Sequence, residues 1–156
     1  RESIDWCKRN IPGVDWKLNQ ILPPTQYPDN SFDLVYAISV FTHINEELQN
    51  AWLSELHRIT RQGAILILTI HGESVIEKTY LTKYQQQELE NNGFLFVIGT
   101  KGKLKYDGLP DFYQTAYHKN TYIQQNWAKF FEIVAHVPKG INNHQDAVIL
   151  RNKKFT

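Results

Sequence analysis

With 156 residues, 42% of them hydrophobic and 21% charged, the chain is long enough to bury one sizeable core and has the make-up of an ordinary globular domain. A formal net charge of +1 gives no basic footprint for nucleic acid and no reason to expect a membrane surface, and no apolar run approaches the length of a spanning helix. The lone Cys7 excludes an internal disulfide and suits a reducing, cytoplasmic compartment.

The first clear element follows Pro28. Asp29, Asn30 and Ser31 are turn formers, and residues 32–38 are a short apolar run, too brief for a helix and suited to a strand covered on both faces. In open α/β sheets ligands sit off the carboxyl ends of such strands. Ile38, Ser39 and the Phe41-Thr42-His43 turn are therefore where chemistry is expected.

A helix comes next, capped by Asn45, with Glu46 and Glu47 placed against the positive end of its dipole. Leu48, Ala51, Trp52, Leu56 and Ile59 recur at helical spacing. His57, Arg58 and Arg61 fall in or near the last turn, and Gly63 is expected at C′. Residues 64–70 form a second unbroken apolar run ending at His71-Gly72, so strand, helix and strand make a right-handed crossover and a parallel sheet.

Beyond it the pattern loosens. Thr82 and Gln85 form a capping-box pair for a short helix ending at Asn91-Asn92-Gly93, residues 94–98 suit a strand, and residues 99–111 read as loop. A helix is expected over residues 121–129, capped by Asn120 or Thr121. Residues 131–137 and 147–151 are expected strands, joined through the turn-rich stretch 138–143 as an antiparallel pair. No repeat, low-complexity tract or dividing linker interrupts the chain, which reads as one domain.

The order PDNSFDLVYA, SVFTHI and WLSELHRITRQGAILILTIHG resembles the second half of a class I S-adenosylmethionine-dependent methyltransferase, from its fourth strand through its fifth. Gln62-Gly63-Ala64 stands at the family's Pro-Gly-Gly turn, with only the middle glycine kept. The resemblance implies an α/β, Rossmann-like, mostly parallel sheet closed by a carboxyl-terminal antiparallel hairpin. It also implies that residues 1–10 are the helix after the second strand and residues 14–18 the third strand. The family's Gly-rich loop and the acidic residue ending its second strand are not among these residues, and the chain has no Met. An amino-terminally truncated domain is therefore expected, with about a third of a normal domain upstream. Its fourth strand would then have an open edge, which invites homodimer formation.

S-adenosylmethionine is the implied cofactor. Asn19 and Gln20 match the positions that meet the adenine, and Ala37, Ile38 and Ser39 match the end of the fourth strand, where backbone groups meet the amino acid portion. His43 is expected to shape the same pocket. In the family the segment after the fifth strand often folds over the acceptor, and residues 73–118 here carry Tyr80, Tyr84, Tyr106, Phe112, Tyr113, Tyr117 and His118. Aromatic rings with hydroxyl tips suit a pocket for a small-molecule or sugar-like acceptor, although such rings more often fill a small satellite core.

Transfer from a sulfonium asks chiefly for alignment, with a base added where the acceptor must lose a proton. His71, following a strand at its carboxyl end, is the first candidate for that base, and His43 the second. The six histidines are scattered without metal-site spacing, so His144-Gln145-Asp146 reads as a polar junction rather than a metal site. A carboxylate entering a buried strand at Asp146 would need a partner. The competing reading is a catalytically silent Rossmann-like interaction module.

Overall fold

A computed structural model of the protein describes residues 1–99 and 113–153. Tyr106, Phe112 and most of the expected loop 99–111 lie outside the described residues.

Helix α1 (Glu2–Asn10) carries Glu2 and Asp5 in its first turn and Lys8 and Arg9 in its last, complementing its dipole, and buries no residue. The strand expected over residues 14–18 does not form. Val14 and Leu18 are exposed, and no described strand lies beside them. A lone extended segment gains nothing from β geometry without a ladder partner, so this stretch stays irregular.

Strand β1 (Phe32–Ala37) is entered from a turn that is tied to the far end of the next helix. Asn30 and Ser31 donate their N–H groups to Arg58 O and Ile59 O at 3.0 and 2.6 Å. Helix α2 (Glu46–Ile59) begins as expected, with Asn45 Oδ1 accepting from Leu48 N at 3.0 Å.

The helix ends differently from the expectation. Gly63 is not C′: the helix stops at Ile59, and strand β2 (Thr60–Ile70) starts at once. Asn152 takes over the capping, its Nδ2 donating to His57 O and Thr60 O, both at 3.0 Å. Gly63 instead serves a bulge. Phe32 pairs with Thr60 but Leu34 with Ile65, and the excess residues of β2 are accommodated around Gly63 at φ +83°.

After β2 come a single turn α3 (Glu73–Ile76) and helix α4 (Lys83–Asn92). The Thr82–Gln85 capping box and the left-handed Gly93 cap of α4 are both present. Strands β3 (Phe94–Val97) and β4 (Thr115–His118) form a separate antiparallel ribbon. Helix α5 (Asn120–Asn126) runs into a 3₁₀ turn, Trp127–Lys129. Its N-cap is Lys119, not Asn120 or Thr121, and Asn120 Oδ1 is engaged by His136 Nδ1 at 2.9 Å. Strands β5 (Glu132–Ile141) and β6 (Gln145–Arg151) close the chain as an antiparallel hairpin. The expected link 138–143 is mostly strand, and the reversal falls on Asn142 and Asn143, both at positive φ.

The main sheet has the order β1-β2-β6-β5, with β1 and β2 parallel and the other two pairs antiparallel. Alternation along β2 decides where the core sits. Leu66, Leu68 and Ile70 are fully buried, beside Val148 and Leu150 of β6 and under Leu53, Leu56, Phe41, Trp127 and Phe131. Each such aliphatic side chain contributes roughly 1.5–3 kcal/mol on burial. A smaller cluster of Leu81, Leu89, Leu95 and Tyr117 holds the ribbon against α4.

Candidate active site

The carboxyl ends of β1 and β2 point to one region, and β4 lies across them. Ala116 N donates to Thr42 O at 2.9 Å, and His118 N donates to His71 O at 2.9 Å. One buried side chain fixes this arrangement. Gln49 Nε2 donates to Phe41 O and to Ile44 O, both at 3.0 Å, which leaves Oε1 to accept from His118 Nε2 at 2.9 Å. Gln49 thus pins the loop after β1 between α2 and β4. Sequence reading missed it; the signal was a glutamine on the apolar stripe of α2, adjacent to Leu48 and one and two turns before Leu53 and Leu56.

Three imidazoles gather where these elements meet. His71, at the tip of β2, faces the rings of His43 at 5.9 Å and His144 at 5.7 Å, both edge-on, and tilts against Tyr117 at 5.7 Å. It is 9% exposed, and its Nδ1 finds no hydrogen-bond partner among the described residues. Burial first, then the neighbouring His43 and His144, push its pKa down to about 4. His43 is better tethered: Nδ1 meets Gln114 O at 2.8 Å, and Tyr113 stacks on the ring at 4.1 Å. Burial raises the pKa of the Tyr113 phenol, which keeps it protonated. Among the described residues no trio of His, Cys, Asp or Glu is arranged to hold a metal ion.

Ser39 closes the same region from the β1 side. It adopts φ +57°, its N–H donates to Thr69 Oγ1 at 2.8 Å, and Gln145 Nε2 donates to its Oγ at 2.8 Å. Ala37 packs on the core, whereas Ile38 and Val40 are about two-fifths exposed. Asp146 has the partners that its burial demands: His136 Nε2 at 2.9 Å, Lys139 N at 2.9 Å and Ser74 Oγ at 3.3 Å. Burial alone would raise its pKa, but the bonds from His136 and the Lys139 backbone outweigh that and hold the carboxyl below its usual range.

His71 and His43 are therefore brought together, and Ser39, following Ala37 and Ile38, joins Thr69 and Gln145, the neighbours in sequence of Ile70-His71 and His144. Asn19 is set apart. It lines a cavity of about 240 Å³ with Lys8, Lys17, Leu18, Gln26 and Tyr27, which shares no residue with the strand-tip cluster, and Gln20 is exposed. Of the expected aromatic walls, Tyr113 and Tyr117 reach the cluster. Tyr80 and Tyr84 face solvent, and His118 is sealed in the core. No described helix is long and apolar enough to cross a membrane.

A parallel pair continued by an antiparallel hairpin, with β4 across the strand tips, is compatible with the Rossmann-like fold of methyltransferases. Residues 1–68 match the family described as a methyltransferase domain. Among solved structures, a protein of Pyrococcus horikoshii OT3 superposes with a TM-score of 0.59 at 12% identity, over 96% of this chain and 64% of that one. A SAM-dependent methyltransferase of Methanosarcina mazei superposes with a TM-score of 0.55 at 15% identity, over 85% of this chain and 64% of that one. The chain thus corresponds to less than two thirds of the length of these relatives. No curated protein matches the sequence.

Proposed function

We propose that the protein transfers a methyl group from S-adenosylmethionine to a small-molecule or sugar-like acceptor bound over the tips of β1 and β2. The observation that carries this reading is the position of β4: hydrogen-bonded to Thr42 O and His71 O, it gathers imidazole and phenol groups just beyond the strand ends. S-adenosylmethionine, when bound, supplies an electrophilic methyl group on a sulfonium.

The residues present fit that molecule in chemical type. The cavity-lining amides of Asn19 and Gln26 both donate and accept, as a purine edge requires, and beside them the Tyr27 ring lies under Lys17 Nζ, 5.1 Å from its centroid. Exposed Ile38 and Val40, with the Ser39 turn and His43, offer apolar and polar surface at the β1 tip for the remainder. What the chain itself contributes is alignment, worth up to roughly 7–11 kcal/mol, and a site for the acceptor's proton, typically ~10²–10⁴-fold in rate. Cytoplasmic residence belongs to the same reading and rests on the single, unpaired Cys7.

Calorimetric titration with S-adenosylmethionine, followed by transfer of its labelled methyl group to a phenol or a hexose, tests the reading. Binding with transfer is expected. A chain that neither binds nor transfers is an interaction module instead.

A further inference from the structure

We propose that His43, and not His71, is the group that takes the acceptor's proton, so that the acceptor is a hydroxyl compound delivered to Nε2 of His43. The inference rests on the methyl-transfer reading above and deepens it. Its basis is the tether on the other nitrogen. Gln114 O is a carbonyl and only accepts, so Nδ1 of His43, 2.8 Å away, carries the ring hydrogen. Nε2 of the neutral ring then holds the lone pair.

The ring is also fixed in direction. The same two residues are bonded a second time, Gln114 N donating to His43 O at 3.0 Å, and His43 N donates to Val40 O at 3.0 Å. Tyr113 lies almost parallel to the ring, 18° from coplanar, and His71 meets it at 86°. A base must be positioned before its strength matters, and this imidazole has one nitrogen committed, one face covered and, among the described residues, one nitrogen left over. His43 is only half-buried, so that nitrogen belongs to a ring in partial reach of solvent.

His71 is placed differently. Its ring takes part in one backbone hydrogen bond, with Ala116, its Nδ1 is buried with no partner among the described residues, and protonating it would place a charge beside two further imidazoles in a nearly closed site. The titratable groups around His43 are thus the Tyr113 phenol and His71, with His144 and Tyr117 behind His71.

In the step itself the acceptor oxygen bonds to the methyl carbon as the carbon–sulfur bond breaks, its electron pair staying on sulfur. The hydroxyl proton goes to Nε2 of His43, so the positive charge passes from sulfonium to imidazolium and one proton is later released to solvent.

Two measurements on the full chain need no bound ligand. Long-range ¹H–¹⁵N NMR is expected to find His43 as the Nδ1–H tautomer, and an Nε2–H ring overturns the proposal. Acylation by diethyl pyrocarbonate, mapped by mass spectrometry, is expected to modify His43 faster than His71, and the reverse order overturns it. A third uses labelled S-adenosylmethionine with a phenol or a hexose. His43→Gln is expected to lower kcat by ~10²–10⁴-fold with the acceptor KM little changed. Transfer at the full rate by H43Q overturns the role of His43 alone. A wild-type chain that transfers nothing, with tautomer and reactivity as expected, overturns the methyl-transfer reading and this role with it.

Discussion

Gly72 and Asp146 are coupled so closely that replacing one should cost what deleting the other costs. Gly72 has φ −88°, a value that suits any residue, so backbone strain gives no reason for glycine there. The reason is contact: a Cβ at Gly72 would lie 1.9 Å from Asp146 Oδ2 and 2.6 Å from Cγ. In Gly72→Ala the carboxylate has to swing away and forfeit its bonds to His136 Nε2 and Lys139 N, both 2.9 Å in length. Leaving buried groups unpaired costs about 1–3 kcal/mol each, so either Gly72→Ala or Asp146→Ala should destabilise by about 3–5 kcal/mol. The double variant removes both clashing atoms, and the contact that remains, with Cβ of residue 146 at 3.3 Å, is tolerable. It should therefore be little less stable than Asp146→Ala alone, with a coupling close to the whole cost of Gly72→Ala, about 3–5 kcal/mol. Urea unfolding followed by circular dichroism measures all three. Losses that simply add would refute the argument that glycine at 72 makes room for this carboxylate.

Acid should weaken the fold from near neutrality. Burial is the first cause of the low pKa values of His71 and His118, about 4 and about 3, whereas the unfolded value is near 6.5. Below 6.5 the unfolded chain takes up protons that the folded chain refuses, so stability is full above that pH and falls by about 1.4 kcal/mol per pH unit per histidine, or about 4 kcal/mol between pH 7 and 5. Unfolding free energies that stay flat over this range would contradict the burial argument. Glu55 acts in a lower window: the bond from Arg58, assisted by Thr25 against the effect of burial, holds its carboxyl at about 2. Its contribution, about 3 kcal/mol, is present above pH 4.5 and lost as pH falls through 2, so Glu55→Gln should be destabilised by about that much at pH 7, and an unchanged urea midpoint would count against it. Among the described residues the outer edge of β1 has no ladder partner and exposes Leu34 and Tyr36, so light scattering at high protein concentration should detect a homodimer; a monomer with native circular dichroism would contradict that.

Features set by neighbouring residues were legible in the sequence. Asn45 as a cap, the Thr82–Gln85 box and Gly93 at the end of α4 each depend on a span of a few residues, and each is found as read. Features set by distant partners were not. The expected strand at 14–18 had the right residue types but no ladder to join, and Gly63 lost its capping role to Asn152, far along the chain. The site shows the same division. Looking beyond the ends of two strands needed only their order and polarity, and the His43 and His71 rings meet there, with Ser39 bonded to Thr69 on β2. The tether from His43 to Gln114 spans 71 residues, and that from His118 to Gln49 spans 69. No local pattern announces such pairs.

In the proposed reaction S-adenosylmethionine spans from the β1 tip to the separate Asn19 cavity, with the acceptor beside His43 and His71. Titration of ¹⁵N-labelled protein with S-adenosylhomocysteine, the demethylated product, reads this through amide shifts. Changes concentrated at Asn19, Gln20, Ala37, Ile38, Ser39 and His43 are predicted. A spectrum unmoved by millimolar ligand, or shifts clustered on the acidic cavity of Asn45, Glu46, Glu47 and Glu88, would contradict it.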